Sequence, residues 1–246
     1  MQVVILAGGY GTRLIEETNR VPKPMVNIGN TPILVHIMNI YSNFGHRDFV
    51  VAGGYKFEYI DSYFKSKSKI LDKLGWNVNI QDTGLNSGTA GRLLQLEKVL
   101  NDDFLLTYGD GLADINLKEL IDFSVTKPGL VTVTAVKPLP RFGGLEIRNG
   151  CVTSFSEKSP EQIGWINGGF FYVRKSIVNK ITKLEQTLEI DVLPKLAVEG
   201  ELHAFQHYGW WHPMDTLRDK NFLNELYMKK KAPWMLESQY MQVLDW

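Results

Sequence analysis

The sequence predicts an α/β fold built in three layers around a mostly parallel sheet, and two observations carry this prediction. Short apolar runs rich in β-branched residues, such as "QVVILA" at 2–7, are bounded by glycine and have the length of buried parallel strands. Segments with helical spacing of apolar residues alternate with these runs. That alternation is typical of βαβ units with right-handed crossovers.

The predicted elements follow one another in order through the first half of the chain. After the first strand, "TPILVHIMNIYSNFG" places Ile33, Ile37 and Ile40 at helical spacing, and Gly45 provides a C-cap. Further strands are expected at "DFVVAGG", "WNVNIQD", "DFLLTYGD" and "LVTVTAV". The helices between them are expected at "FEYIDSYF", "TAGRLLQLEKVL" and "LKELIDFSVTK".

The pattern changes after Pro138. Two alternating runs in "GGLEIRNGCVTSFSE" flank Asn149–Gly150, which predicts a β-hairpin. Strands are expected at "INGGFFYV" and "ELHAFQHYGWWHP", and a final helix at "TLRDKNFLNELYMKKK". Because nothing between these segments has the composition of a linker, we expect one domain over 1–246, with 139–246 built onto a core formed by 1–138.

Composition and charge exclude several classes of protein. The 246 residues include 27 Lys and Arg against 27 Asp and Glu, so no global basic field attracts nucleic acid. One cysteine, Cys151, excludes an internal disulfide and favours a reducing compartment. No signal peptide or spanning segment is visible. We therefore expect a cytoplasmic protein that binds neither nucleic acid nor a membrane.

A glycine-rich turn, "LAGGYGTRL", follows the first strand. Glycines at the carboxyl end of a strand let backbone N–H groups approach a phosphate, and Arg13 adds a planar charged group suited to phosphate oxygens. The alternative is a tight turn with a solvated arginine. The turn lacks the Lys-Ser/Thr pair of an ATPase P-loop, and Leu14 stands where a dinucleotide fingerprint needs glycine.

Three further side chains are candidates for phosphate chemistry. Lys23 is held between Pro22 and Pro24, which restrict the backbone on both sides of it. Asp110 ends a predicted buried strand, and Asp215 precedes the last helix. If these two carboxylates lie close together in the fold, they could bind a Mg²⁺ ion that also contacts phosphates. The alternatives are a surface position for Lys23, an Asp-Gly turn at Asp110 and a helix N-cap at Asp215. Asp114 is interpreted as part of the loop structure or as a residue that supports the metal ligands.

These motifs occur in the order of a known family. "LAGGYGTRL", "PKPM", "DTGLNSGTAGRL", "TYGDGLAD", "RFGGLEI", "FSEK", "INGGFF", "PMDTLRDK" and "KAPW" together resemble the nucleoside-triphosphate:sugar-phosphate nucleotidyltransferases. "TYGDG" and "PMDTLRD" resemble the cytidylyltransferase branch of that family. In one respect the chain differs: only 17 residues lie between Phe64 and Asp82, where the family usually carries a longer insertion.

The resemblance implies a Rossmann-like nucleotidyltransferase fold with a small β-rich sugar-binding elaboration. It implies that CTP and α-D-glucose 1-phosphate react to give CDP-glucose and pyrophosphate. Arg13 and Lys23 would be catalytic, Asp110 and Asp215 would bind Mg²⁺, and the chain would form a homo-oligomer. The predicted nucleotide-binding residues are Leu6, Ala7, Gly8, Gly9, Gly11, Thr12, Thr83, Gly84, Ser87, Arg92 and Gly109.

A sugar phosphate needs a cation for its phosphate and amide or carboxylate groups for its hydroxyls. The predicted sugar-phosphate residues are Gly143, Glu157, Lys158, Asn167 and Gly168. The residue types alone do not distinguish CTP from UTP or dTTP, because the backbone of a glycine loop supplies the contacts that cytosine needs. Two further alternatives stay open: the acceptor is another sugar phosphate, or the protein is a non-catalytic nucleotide sensor.

The remaining polar and aromatic residues of interest are assigned to packing. His36 lies on an otherwise apolar helix and is interpreted as a hydrogen-bonded core residue. The Trp210–Trp211 pair is interpreted as packing rather than as a stacking platform for a ligand. The C-terminal "KAPWMLESQYMQVLDW" carries two tryptophans that we expect to need a partner surface.

Overall fold

A computed structural model describes residues 1–138, 144–156 and 164–239. Its strands are β1 Gln2–Leu6, β2 Asn27–Ile28, β3 Thr31–Pro32, β4 Asp48–Gly53, β5 Asn77–Asp82, β6 Asp103–Tyr108, β7 Gly111–Ala113, β8 Val131–Val136, β9 Gly144–Arg148, β10 Cys151–Ser156, β11 Ile166–Arg174, β12 Leu202–His207 and β13 Trp211–Pro213. Its helices are α1 Ile15–Thr18, α2 Ile33–Ser42, α3 Phe57–Ser66, α4 Ser68–Leu74, α5 Thr89–Gln95, α6 Leu117–Val125, α7 Leu193–Val198 and α8 Leu217–Met228.

Seven strands form the central sheet, in the order β12-β8-β11-β6-β1-β4-β5. Only β11 runs against its neighbours β6 and β8; the other pairs are parallel. The predicted α/β class and the mostly parallel sheet are therefore confirmed. Strands from both halves of the sequence share this sheet, because β8 lies before Pro138 whereas β11 and β12 lie after it.

Both faces of the sheet are buried, because successive side chains of a strand point to opposite sides. In β1, Val3 and Ile5 pack into one hydrophobic cluster with α2, α3, α6 and α8. Val4 and Leu6 pack into the other cluster, with α5 and α7. This explains why the first strand is apolar at nearly every position.

The predicted hairpin forms between β9 and β10. Asn149 has φ 48° and Gly150 has φ 81°, so both turn residues lie in the left-handed region that a two-residue hairpin turn requires. Asparagine and glycine adopt this region more readily than other residues, which is why the turn was visible in the sequence.

The segment after α8 folds back onto the rest of the chain. Trp234 is buried, and its ring stacks on Trp210 with centroids 5.1 Å apart. The indole Nε1 donates to Nδ1 of His36 at 3.3 Å. The expectation that the tryptophans of this segment need a partner surface is therefore wrong for Trp234, because its own chain buries it; Trp246 lies outside the described residues.

Among the described residues, no helix is both long and apolar enough to cross a membrane.

Candidate active site

A cleft of about 630 Å³ opens at the carboxyl ends of β1 and β6. Leu6 pairs with Tyr108 in the sheet, so the glycine turn after β1 and the "GDG" turn after β6 start side by side. Of the predicted site residues, the cleft is lined by Leu6, Ala7, Gly8, Gly9, Gly11, Thr12, Arg13, Lys23, Ser87, Arg92, Gly109, Asp110, Asn167, Gly168 and Asp215.

The two predicted acids meet through a short antiparallel ladder. β13 pairs with β7, with Pro213 opposite Gly111. The backbone N–H of Met214 donates to the carbonyl oxygen of Asp110 at 2.8 Å. This pairing brings Asp215 beside Asp110, although 104 positions separate them in the sequence, from 111 to 214.

Lys23 joins the two acids. Its Nζ donates to Oδ2 of Asp110 at 2.6 Å and to Oδ1 of Asp215 at 2.7 Å. Lys23 is only 8% exposed. Burial lowers the pKa of Lys23, but the charges and hydrogen bonds of the two carboxylates outweigh it and hold that pKa above its ordinary value. The ammonium is therefore protonated throughout the neutral range.

Arg13 completes a group of four charges, which we call the charge cluster: Arg13, Lys23, Asp110 and Asp215. Its Nη1 donates to Oδ2 of Asp215 at 2.7 Å, while 71% of its side chain is exposed. The cluster combines one buried cation, one exposed cation and two carboxylates. The formal charges of these four groups sum to zero.

Asp215 is not the N-cap of α8. Thr216 takes that position: its hydroxyl accepts from the N–H of Asp219, and the Asp219 carboxylate accepts from the N–H of Thr216 at 2.8 Å. This reciprocal arrangement is a capping box. The N-cap interpretation of Asp215 is therefore wrong, and its side chain is directed to Lys23 and Arg13 instead.

The backbone around Lys23 is stiff, as the flanking prolines predict. Pro22 is extended at φ −65° and ψ 149°, and Lys23–Met25 form a single turn of 3-10 helix. Gly11, at φ 65°, approaches Lys23 closely: a Cβ placed on Gly11 would lie 3.0 Å from Cβ of Lys23. The glycine turn and the lysine turn therefore pack against each other.

Arg92 is buried behind the glycine turn. Its Nη1 donates to the carbonyl of Gly53 at 2.9 Å and to the hydroxyl of Thr83 at 2.7 Å, and its Nη2 donates to the carbonyl of Gly8 at 3.0 Å. The guanidinium thus connects three loops at the carboxyl ends of the strands. The guanidinium is not solvated, because only 4% of the residue is exposed.

The other predicted residues fall into two groups. Thr83 and Gly84 lie beside Arg92 but do not line the cleft. Gly143, Glu157 and Lys158 lie outside the described residues.

Tyr108 and Glu189 line the cleft but were not predicted from the sequence. Tyr108 is the last residue of β6, and Glu189 belongs to a short π-helical turn, Leu188–Val192. The hydroxyl of Tyr108 donates to Oε1 of Glu189. A polar aromatic residue at the end of an otherwise apolar strand was a usable signal for Tyr108, whereas nothing local marks Glu189.

His36 is consistent with the packing role, and Asp114 with the loop-structure role, that the sequence analysis gave them. His36 is fully buried, and its Nε2 lies 3.0 Å from the carbonyl of Ile28. Burial lowers the pKa of His36 to about 4. Asp114 pairs with Nε2 of His207 at 3.0 Å, which makes it a loop contact.

The sequence is similar to those of several known proteins. The profile of a family described as nucleotidyl transferase matches residues 2–219. Glucose-1-phosphate cytidylyltransferase of Salmonella typhimurium is 47% identical, over 95% of this chain and 98% of its own. The catalytic subunit beta of mannose-1-phosphate guanylyltransferase from Drosophila melanogaster is 32% identical, over 90% of this chain and 61% of its own.

A solved structure shows the same arrangement of strands and helices. HddC from Yersinia pseudotuberculosis, complexed with GMP-PN, superimposes with a TM-score of 0.70 and is 26% identical. The match covers 92% of this chain and 99% of that chain.

Proposed function

This chain belongs to the nucleotidyl transferase family, and on that basis we propose that it transfers a cytidylyl group from CTP to α-D-glucose 1-phosphate. The products are CDP-glucose and pyrophosphate. The charge cluster in a glycine-lined cleft is the observation that carries the proposal. Its choice of substrates rests on the 47% identity, over nearly the whole of both chains, to a protein named glucose-1-phosphate cytidylyltransferase.

The reaction needs charge neutralisation more than proton transfer. A sugar phosphate carries about 1.5 to 2 negative charges near neutral pH, so its oxygen attacks the α-phosphorus without a general base. The bond from the α-phosphorus to the bridging oxygen breaks, and pyrophosphate leaves. The protein accelerates such a step by holding both reactants in line and by stabilising charge on the phosphate oxygens.

Each cation of the cluster has a distinct part in this proposal. Lys23 stays protonated and is held on a stiff turn, so it is suited to neutralise the phosphoryl group that is transferred. Arg13 is mostly exposed and has contact only with Asp215 within the cluster, so it is free to turn toward the leaving pyrophosphate. The backbone N–H groups of the glycine turn add donors for the same oxygens.

The two carboxylates fit a magnesium ion. Both already bind one cation, the Lys23 ammonium, which shows that Asp110 and Asp215 are placed to share a positive charge. Carboxylate oxygens, completed by water and phosphate oxygens, are the ligands that Mg²⁺ prefers. Among the described residues, no group of three or more His, Cys, Asp or Glu side chains is placed to hold a metal ion. Bound Mg²⁺ would neutralise charge on the phosphate oxygens of both substrates.

Arg92 contributes to nucleotide binding by shaping the loop, in this proposal. Its Nη1 donates to Gly53 and Thr83, and its Nη2 donates to Gly8. It therefore holds the backbone of Gly8, which lines the cleft, against the loops that carry Gly53 and Thr83.

Pyrophosphate release tests the function. CTP, UTP, dTTP, ATP and GTP are each paired with a panel of sugar 1-phosphates, and a Lys23→Met variant gives the background. We expect the highest kcat/KM for CTP with glucose 1-phosphate. Comparable turnover with ATP or GTP would contradict the choice of base, and no release with any pair would favour a nucleotide sensor.

We also propose a homo-oligomer that works in the cytoplasm. One face of the β9–β10 hairpin exposes Leu145, Ile147, Val152 and Phe155, a group of apolar side chains that a neighbouring subunit would cover. Light scattering at micromolar concentration is expected to give a multiple of the chain mass of 28.0 kDa. A mass equal to one chain would contradict this proposal.

A further inference from the structure

A second polar group lies in the cleft, separate from the charge cluster. The hydroxyl of Tyr108 donates to Oε1 of Glu189, and Nδ2 of Asn167 donates to the oxygen of Tyr108 at 3.2 Å. Oε2 of Glu189 accepts from the hydroxyl of Thr89 at 2.7 Å. All four side chains line the cleft, and they come from β6, β11, α5 and the Leu188–Val192 turn. We call them the Glu189 network.

The members of this network are held in place from behind. Oδ1 of Asn167 accepts from the N–H of Gly169 at 2.8 Å, which fixes the direction of its amide. The N–H of Leu188 donates to the hydroxyl oxygen of Thr89 at 2.7 Å. Burial, and then the charge of Glu189, raises the pKa of Tyr108 far above its ordinary value. Tyr108 therefore stays a hydrogen-bond donor to the carboxylate at any neutral pH.

The carboxylate of Glu189 retains capacity for a ligand. An ionised carboxylate offers about four lone-pair sites, and two are taken by Tyr108 and Thr89. Glu189 is exposed to the cleft, and within residues 1–138, 144–156 and 164–239 no lysine or arginine pairs with it. A negative group of this kind repels phosphate but accepts hydrogen bonds from neutral hydroxyl groups.

We propose that Glu189 binds hydroxyl groups of the acceptor sugar, with Tyr108 and Thr89 holding its carboxylate in position. This inference rests on the proposed function. Adjacent hydroxyls occur both on a hexose and on the ribose of a nucleotide. The hexose is favoured because the network lies over β6 and β11, whereas the glycine turn proposed to hold the nucleotide follows β1, on the other side of β6 in the sheet.

The experiment compares Michaelis constants for the two substrates in a Glu189→Gln variant. Glutamine keeps the size of the side chain and removes its charge, so charge-assisted hydrogen bonds to hydroxyls weaken. We expect KM for glucose 1-phosphate to rise about tenfold or more and KM for CTP to change less than about twofold. Glu185→Gln, four residues upstream and also exposed, is the matched control and should leave both constants unchanged.

A second variant tests the positioning role of Tyr108. Tyr108→Phe removes the hydroxyl that donates to Glu189 but retains the ring that packs edge-on against Phe171, with centroids 5.6 Å apart. We expect the same selective rise in KM for the sugar phosphate, smaller than in Glu189→Gln. An equal loss of melting temperature and of activity toward both substrates would indicate a structural role and overturn the assignment.

The remaining outcomes separate this inference from the proposed function. If the wild-type protein turns over and Glu189→Gln has unaltered constants, the inference fails while the function stands. If KM for CTP rises and this rise disappears with 2′-deoxy-CTP, Glu189 binds the ribose and the inference is overturned.

If the wild-type protein releases no pyrophosphate, the function fails. Calorimetric titration of wild type and Glu189→Gln with glucose 1-phosphate then decides the contact: weaker binding by the variant supports it, and equal or absent binding overturns it.

Discussion

At the scale of single residues, Lys23 determines the electrostatics of the site, because it pairs with both acids. An ammonium that is nearly buried between two carboxylates is stable only because both acids are within hydrogen-bond distance. The ammonium stands between Asp110 and Asp215, where a divalent metal would also be attracted. If Mg²⁺ binds there as proposed, Lys23 would compete with it for the two acids until phosphates offered the ammonium other partners.

Replacing Lys23 by methionine tests this competition. The variant leaves two carboxylates facing each other with no ammonium between them, so a divalent cation relieves more repulsion than in the wild type. We expect Mg²⁺ to raise the melting temperature of Lys23→Met more than that of the wild type. We expect kcat to fall on the order of 100-fold or more, which corresponds to about 2.7 kcal/mol.

Lys56→Met is the control for that measurement. Lys56 donates to the carbonyls of Thr18 and Asn19 and, within the described part of the chain, has no carboxylate partner. Its loss should leave the response to Mg²⁺ as in the wild type. An equal Mg²⁺ shift in Lys23→Met and wild type would contradict the competition.

The sequence could predict the residue types of the charge cluster but not their pairing. Glycines, the arginine and the lysine between prolines are local signals with local physical reasons. The contact between Lys23 and Asp215 depends on the β7–β13 ladder, which forms between short segments that have little strand pattern of their own. The spacing Thr216-Leu-Arg-Asp219 is that of a capping box, and this local signal would have favoured the correct interpretation.

At the scale of elements, the glycine turn after β1 combines two different requirements. A Cβ placed on Gly8 would lie 2.1 Å from Nη1 of Arg92, whereas a Cβ on Gly9 would meet nothing within 4 Å. Gly8 is therefore required by packing. Gly9 has open space on the side of the cleft, where a phosphate would approach the backbone.

Alanine at each position separates these requirements. Gly8→Ala displaces a buried guanidinium from its carbonyl partners, so we expect it to lower the free energy of unfolding by about 1–3 kcal/mol. Gly9→Ala should change that free energy by less than about 0.5 kcal/mol. Urea unfolding of both variants measures the difference, and equal losses at the two positions would contradict the account.

The N-terminus of α8 provides a second test at this scale. Thr216→Ala removes one half of the capping box, and we expect it to lower the free energy of unfolding by about 1 kcal/mol. Because the side chain of Thr216 contacts Asp219 and not the charge cluster, kcat should stay within about twofold of wild type. A loss of kcat without a loss of stability would show that Thr216 acts in the reaction.

Regular elements were predictable and irregular ones were not. The Asn149–Gly150 hairpin and the apolar strands carry patterns that follow from backbone geometry. The Leu188–Val192 turn has no such pattern, because its shape follows from packing against α5. Glu189 was missed for that reason, since its role depends on where an irregular turn is placed.

At the scale of the whole molecule, a buried histidine connects two parts of the chain that are far apart in the sequence. Nε2 of His36 contacts the Ile28 carbonyl, and its Nδ1 accepts from Trp234, which belongs to the segment after α8. Both ring nitrogens are thus used by the neutral imidazole. A proton on Nδ1 would displace the indole and place a charge in the core.

Stability should therefore depend on pH through His36. Its pKa is about 4 in the folded chain and near 6.5 when unfolded, so the unfolded chain binds more protons between these values. We expect His36 to lower the free energy of unfolding by about 3 kcal/mol as pH falls from 6.5 to 4, with no contribution above 6.5.

Chemical unfolding of wild type and His36→Gln across that range measures this contribution. The variant should be less stable than wild type at neutral pH, because its amide replaces an imidazole that fits two partners. Its stability should nevertheless fall less steeply toward acid. Parallel slopes for the two proteins would contradict the assignment to His36.

The central claim is that Asp110 and Asp215 act as one unit, and a double-mutant cycle in kcat tests it most directly. Asparagine at either position keeps the shape of the side chain and removes the anionic ligand. We expect Asp110→Asn and Asp215→Asn each to lower kcat on the order of 100-fold or more. The double variant should be little worse than the worse single one, because either change already disables the shared site. Unchanged kcat in Asp215→Asn at saturating Mg²⁺, or multiplied losses in the double variant, would contradict the claim.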